Sequence, residues 1–153
     1  MRAIGFRSFP DGFSYVVLDG AQDGPDIVAY QRLKFPKNHG WSASLSWLRK
    51  QVIELLNKHK PTAASIKCIE PMAKKKSVER FHVDGVIQEV TFSELGIECT
   101  PRIKSQLKRD IRDFTEPARY LDHVLEGTTH LAELNAPNFQ EAALAAIAEL
   151  PPD

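Results

Sequence analysis

Alternating and continuous apolar runs predict three strands in the first 35 residues of the chain. Residues 2–9 alternate, with Ile4 and Phe6 on one face and Arg7 on the other. A turn signal at 10–12 leads into an apolar run at 13–18, and a third apolar run covers 27–35. Such short connections join antiparallel neighbours, because a parallel pair needs a long crossover. The pattern therefore predicts an antiparallel three-stranded meander.

Helical spacing begins after residue 40 and is interrupted by two short apolar runs. Spacings of four and three residues predict a first helix that ends before Pro61, with the apolar stripe Trp41, Leu45, Leu48, Val52 and Leu55. A strand at 64–69, a helix at 77–95 and a short strand before Pro101 follow. A strand, a helix and a strand in this order predict a parallel pair. Further helices are predicted at 101–114, 117–134 with a break near Gly127, and 139–150.

The helix at 77–95 contains a glycine in its interior. Its pattern places one face toward the sheet, formed by Val78, Phe81, Gly85, Val86 and Val90. Glycine costs about 1 kcal/mol relative to alanine at such a position. Gly85 therefore predicts a close approach of this helix to the sheet.

Length, net charge, cysteine content and the lengths of the apolar runs limit the kinds of protein that this chain can be. The 153 residues fit a single domain, 1–153, and the formal net charge is zero, so any nucleic-acid contact must come from a local basic patch. Cys68 and Cys99 fall in the two predicted inner strands, which favours buried thiols in a reducing compartment. No apolar run approaches the roughly 18 residues that cross a bilayer. We therefore expect a soluble, cytoplasmic protein with no membrane partner.

One stretch resembles a known family. Ile69-Glu70-Pro71, a helix containing Gly85, and Gly96-Ile97 followed by Thr100-Pro101 and Lys104 resemble the second half of the RuvC-like Holliday-junction resolvases. These belong to the ribonuclease H-like superfamily, whose element order agrees with the order predicted above. The resemblance implies an α/β, ribonuclease H-like fold. Its five-stranded mixed sheet would hold three antiparallel strands and then two parallel ones, with helices on both faces.

The resemblance also implies a chemistry. In this superfamily a carboxylate cluster holds two divalent ions, Mg²⁺ or Mn²⁺, against the scissile phosphate. Glu70 matches the second acid and Glu141 matches the acid of the last helix, but Arg7 stands where the first aspartate belongs. Asp11 lies four residues beyond Arg7, roughly 13 Å along a strand, and is a poor substitute. We hypothesise a degenerate, metal-free site in which Arg7 is an internal counter-ion that pairs with either Glu70 or Glu141. The alternative is that Arg7 faces solvent and Glu70 is an ordinary strand-end carboxylate.

Two basic segments follow the predicted inner strands. Lys74, Lys75 and Lys76 come after Glu70, and a second group comes after Thr100-Pro101, namely Arg102, Lys104 and Lys108. Since the two strands are predicted to be neighbours, these segments are predicted to form one phosphate-facing surface. The alternative is that they are ordinary solvated loops.

The sequence supports three functions. The favoured one is a RuvC-like protein that binds DNA or RNA and has lost or weakened its metal-dependent nuclease activity. The second is a divergent active nuclease, the only case in which Mg²⁺ or Mn²⁺ is required. The third is a protein-interaction module on the same fold, since fold alone does not determine function. A second copy of the chain is a further partner that we consider.

Overall fold

Three antiparallel strands begin the computed structural model, which describes residues 1–153. They are β1 (Arg2–Phe9), β2 (Gly12–Asp19) and β3 (Asp26–Lys34). β2 pairs with both neighbours, and its pairing with β3 contains a register shift between Val17 and Leu18. The predicted meander is confirmed.

The second half of the sheet is parallel. After α1 (Trp41–His59), strand β4 (Ala63–Lys67) pairs in parallel with β1. After α2 (Val78–Leu95), strand β5 (Cys99–Arg102) pairs in parallel with β4. The sheet order is β3-β2-β1-β4-β5, so the predicted mixed five-stranded topology is confirmed.

Helices cover both faces of the sheet, as predicted. On one face, α1 and α2 bury a core against the sheet, which includes Ile4, Phe6, Phe13, Leu48 and Ile87. The other face carries α3 (Lys104–Asp110), α4 (Pro117–Val124), α5 (Leu131–Leu134) and α6 (Gln140–Glu149). The alanine-rich α6 lies directly on the central strands and supplies much of this second core.

A glycine in β1 sets the height of α6 above the sheet. A Cβ atom at Gly5 would collide with the backbone of Ala142 and Ala146. The absence of a side chain at Gly5, together with the small alanine side chains, lets the helix backbone lie against β1. The first turn of α6 is thereby held next to the carboxyl end of β1.

Two sequence predictions were wrong. The predicted helix at 101–114 is instead the end of β5 followed by the short α3. On α2, Val83, Ile87 and Val90 face the sheet, whereas Phe81 and Gly85 are exposed and a Cβ at Gly85 would meet no atom within 4 Å. The apolar pattern of α2 gave the wrong buried face, because the face that packs on the sheet also carries polar residues and the exposed face is unusually apolar.

The cysteines and helices add two observations. Cys68 and Cys99 are both free thiols, and burial raises the pKa of each. Among the helices of the structure, none combines the length and the apolar character required to cross a membrane.

Candidate functional site

The parallel pairing of β1 and β4 brings two cations together. Arg7 and Lys67 are direct register partners at the carboxyl ends of these strands. Residues opposite each other in neighbouring strands point to the same face of a sheet. Here that face is the one covered by α6, because Gly5 lies two residues before Arg7 and contacts α6. Glu141, in the first turn of α6, completes the group.

Glu141 bridges the two cations. Its Oε1 lies 3.3 Å from Arg7 Nε, and its Oε2 lies 2.9 Å from Lys67 Nζ. Burial raises the pKa of Glu141, but the charges and hydrogen bonds of Lys67 and Arg7 outweigh burial and hold the pKa below its ordinary value. Arg7 is therefore an internal counter-ion of Glu141 and does not simply point into solvent.

Glu70 is held by different partners. Its Oε2 lies 3.5 Å from Lys67 Nζ, and the backbone N–H of Lys104 donates to both carboxylate oxygens at 3.1 and 3.2 Å. No hydrogen bond or ion pair joins Glu70 to Arg7, so Glu141 is the carboxylate with which Arg7 pairs. Lys67 instead occupies the position between Glu70 and Glu141.

Sequence reasoning missed Lys67, although a signal for it existed. Lysine is rarely buried unless it is paired, and this one interrupts an otherwise apolar inner strand. A buried lysine at the end of such a strand requires carboxylates close by. Glu70 and Glu141 were both already candidates for that role.

Helix α2 contributes two further charged groups, Arg80 and Asp84, from the opposite face of the sheet. Arg80 Nε donates to Ser8 Oγ at 3.2 Å. Burial lowers the pKa of Arg80, and repulsion from Arg7 lowers it further. Asp84 is buried with Oδ1 unpartnered, and burial raises its pKa to about 6, although Ser8 and the neighbouring cations act in the opposite direction.

The other acids near β1 are engaged elsewhere. Asp11 pairs with Arg32, and Asp19 receives two hydrogen bonds from Arg2, at 2.8 Å each. Arg32 also stacks on Phe9, whose ring centroid lies 3.9 Å from Arg32 Cζ and 4.2 Å from Arg7 Cζ. Neither aspartate contacts Glu70 or Glu141.

The basic residues predicted to bind phosphate differ in their exposure to solvent. The side chains of Lys74, Lys75 and Lys76 are exposed in the loop after Glu70, and Lys104 and Lys108 are exposed on α3. The hydrogen bonds from Lys104 to Glu70 tie these two segments together. Arg102 differs, because it is buried and pairs with Asp110 at 2.9 Å and Glu149 at 2.6 Å.

The residues present do not fit a divalent metal ion. An ammonium group lies within 3.5 Å of one carboxylate and 2.9 Å of the other, where an oxygen-ligated ion would have to bind. No group of three or more His, Cys, Asp or Glu side chains in the chain has a metal-binding arrangement. The site is a network of ion pairs in which the cations are supplied by the protein.

Comparison with known proteins agrees with this architecture. No family model and no curated protein sequence matches the chain. Among solved structures, Thermus thermophilus RuvC superposes with a TM-score of 0.75 at 12% identity, over 97% of this chain and 92% of that one. The fold is that of the RuvC-like Holliday junction resolvases.

Two further structures support this assignment. T. thermophilus RuvC in complex with a Holliday junction substrate gives a TM-score of 0.73 at 14% identity, covering 97% of this chain and 91% of that chain. The yeast mitochondrial Holliday junction resolvase gives 0.65 at 12% identity, covering 95% and 76%. The structural similarity establishes the RuvC-like, ribonuclease H-like fold. At sequence identities this low, it establishes nothing about activity.

Proposed function

We propose that this chain is a nucleic-acid-binding protein with a RuvC-like fold and without effective metal-dependent nuclease activity. The observation that carries this proposal is the position of the Lys67 ammonium group between Glu141 and Glu70. Together with Arg7, it supplies positive charge at the place where the family resemblance implies divalent ions. A resident cation both neutralises the carboxylates and repels an incoming metal ion.

The binding surface that we propose consists of the exposed lysines beside the site. Lys74, Lys75 and Lys76 lie in the loop after Glu70, and Lys104 and Lys108 lie on α3. Because the net charge of the chain is zero, such a local cluster is what would attract a phosphate backbone. Arg102 supports this surface from below by pairing with Asp110 on α3.

The ligand that we propose is DNA or RNA, with branched DNA as the first candidate. T. thermophilus RuvC and the fowlpox virus resolvase, both similar in fold, have been solved with Holliday junction DNA. Their ligands motivate the choice of probe for this chain. The single-domain organisation and the cytoplasmic location remain predictions.

Binding and cleavage are tested in one experiment. Labelled four-way junction, duplex and RNA–DNA hybrid are titrated at low and high salt, and are separately incubated with Mg²⁺ or Mn²⁺. We expect salt-sensitive binding without cleavage, and weaker binding when Lys74, Lys75 and Lys76 are changed to Gln. Gln at Lys50, an exposed residue of α1, is the matched control. Metal-dependent cleavage that disappears in Glu70→Ala would instead show a divergent active nuclease.

A second candidate function, self-association, is favoured by an exposed apolar stripe on α2. Val78, Phe81 and Phe92 are 61%, 50% and 57% exposed, and Gly85 between them leaves open space. Val78 lies seven residues before Gly85 and Phe92 seven residues after it. A two-fold axis at Gly85 would therefore bring Val78 of one copy against Phe92 of the other, as an isologous contact requires.

Charge on the same surface fits a second copy of the chain. Arg49 on α1 and Glu89 on α2 flank the stripe, 3.9 Å apart, so each copy presents one group of each sign. Phe92→Glu should convert a dimer to a monomer in light scattering after gel filtration, while Glu98→Gln, an exposed change beyond α2, should not. A wild-type chain that is monomeric at high concentration would exclude this candidate.

A further inference from the structure

Arg80 is a half-buried cation that forms no ion pair with a carboxylate. Its only side-chain hydrogen bond runs from Nε to Ser8 Oγ, 3.2 Å away, and its Nη1 and Nη2 groups donate to nothing in the protein. The charges of Asp84 and Glu141 raise the pKa of Arg80, but neither carboxylate forms an ion pair with it. Burying a charged group without a partner is costly, so this arrangement requires an explanation.

Arg7 adds a second guanidinium with spare donor capacity. It uses Nε for Glu141 and Nη1 for the carbonyl of Ser8, which leaves Nη2 without a protein acceptor. Stacking on Phe9 fixes the plane of the group. Arg7 and Arg80 thus meet at one residue near the carboxyl end of β1, because Arg7 Nη1 donates to the Ser8 carbonyl at 2.8 Å and Arg80 Nε donates to the Ser8 hydroxyl at 3.2 Å. The charge of Arg7 lowers the pKa of Arg80.

A tetrahedral oxyanion relieves this repulsion better than a carboxylate side chain does. Guanidinium groups present planar, paired N–H donors that match phosphate oxygens, and two of them can hold one phosphate from different sides. The carboxylate of Glu141 is already shared by Arg7 and Lys67. The Nη1 and Nη2 donors of Arg80 therefore remain available to a ligand.

We infer that Arg7 and Arg80 form a phosphate-binding pair that holds a backbone phosphodiester of the bound nucleic acid without a metal ion. The identity of the ligand rests on the proposed function, whereas the phosphate chemistry rests on the two guanidinium groups. Arg80 was not among the residues that the sequence singled out. It extends the lysine surface inward, from the exposed loop to the ends of the central strands.

The test combines nucleic-acid binding with thermal protection by inorganic phosphate. Wild type, Arg80→Met, Arg80→Lys and the control Arg119→Met, an exposed arginine on α4, are compared. For Arg80→Met we expect about tenfold weaker binding of four-way junction DNA. The slope of log affinity against log salt should become shallower by about 0.9, the contribution of one phosphate contact. Arg80→Lys keeps the charge and should retain the slope with intermediate affinity, and Arg119→Met should match wild type.

The phosphate arm separates this inference from the proposed function. Inorganic phosphate should raise the unfolding midpoint of wild type above that in chloride of equal ionic strength, and should not do so for Arg80→Met. If DNA binds and Arg80→Met changes neither affinity nor salt slope, the phosphate pair is wrong while the proposed function stands. If no nucleic acid binds but phosphate protects wild type and not Arg80→Met, the pair holds a free phosphate and the proposed function fails. Should Arg80→Met not fold, the same comparison is made with Arg80→Lys, whose failure to alter affinity or protection overturns the pair.

Discussion

Two charged clusters lie at strand ends of the same sheet, and they are balanced differently. At the end of β5, the buried Arg102 meets two acids, Asp110 at 2.9 Å and Glu149 at 2.6 Å, and the exposed Arg109 also pairs with Asp110. At the ends of β1 and β4 the three cations are Arg7, Lys67 and Arg80, and Arg80 has no acidic partner. In the first cluster the buried arginine is fully engaged with carboxylates, whereas in the second cluster Arg80 forms no ion pair and keeps unused hydrogen-bond donors.

We propose that this difference separates a structural cluster from a ligand-binding one. Arg102 joins β5 to α3 and α6, so its charge is consumed by holding the fold together. Arg80 joins nothing except Ser8, and its remaining donors are unused. Mutating the two arginines should therefore have different effects. Loss of Arg102 should lower the stability of the fold, whereas loss of Arg80 should weaken ligand binding.

The largest effect on stability is expected at the balanced cluster. Arg102→Met would leave Asp110 and Glu149 without their buried cation, and should lower the free energy of unfolding by about 3 kcal/mol. Arg109→Met is the control, because Arg109 bonds the same Asp110 but is 68% exposed, so its loss should lower the free energy of unfolding far less than Arg102→Met does. Urea unfolding of both variants measures the difference. Equal losses would mean that burial does not distinguish the two arginines.

Lys67→Met should lower the free energy of unfolding by about 2 kcal/mol, less than Arg102→Met does. The loss is smaller because Arg7 still pairs with Glu141 and the backbone N–H of Lys104 still donates to Glu70. The pH dependence identifies the cause. The folded-state pKa of Glu141 is lowered, so its stabilisation is present above its unfolded pKa of about 4.3 and is lost as the pH falls through the lower, folded value. Lys67→Met should reduce this acid dependence in unfolding curves between pH 2.5 and 7. An unchanged dependence would exclude Lys67 as the main partner.

Asp84→Asn should stabilise the protein at pH 8 by about 1 kcal/mol. Burial raises the pKa of Asp84 to about 6, above its unfolded value of about 3.9, so the folded state binds the extra proton between these values and stability falls as the pH rises through them. Asparagine has no proton to lose, so the variant should gain on wild type as the pH increases from 4 to 7. Asp26→Asn, an exposed change on β3, serves as control. A variant less stable than wild type at pH 8 would contradict this interpretation.

The smallest effect on stability is expected for the exposed lysines. Changing Lys74, Lys75 and Lys76 to Gln should alter the unfolding free energy by under about 0.5 kcal/mol, because surface substitutions remove few contacts. The same variant should show a shallower salt dependence of DNA binding. Fluorescence anisotropy at several salt concentrations measures this. A large loss of stability would instead show that the loop has a structural role.

The strand order and two site acids were predictable for identifiable reasons. Short turns around β2 and a helix between β4 and β5 determine which strands are antiparallel and which are parallel. Glu70 and Glu141 were singled out because each lies in a segment that matches a motif of the family that the chain resembles. Arg7 was noticed because it replaces an expected aspartate.

Lys67, Arg80 and the orientation of α2 were not predictable in the same way. The role of Lys67 in the site depends on its position as the register partner of Arg7 in the neighbouring strand. These two residues are sixty positions apart in the sequence. Arg80 matters because α2 places it beside Ser8 of β1. The exposed apolar stripe of α2 led to a wrong assignment of the buried face of this helix. Local periodicity does not show which of two apolar faces the sheet will cover.

The sequence by itself determined the order and type of the elements, since turn residues and apolar spacing act over a few neighbouring positions. Only the tertiary structure decided which charges neutralise one another, because ion pairs join side chains from distant strands and helices whose distances depend on the packed sheet. The close approach of α6 at Gly5 is the physical link between the two, since it brings Glu141 onto Arg7 and Lys67.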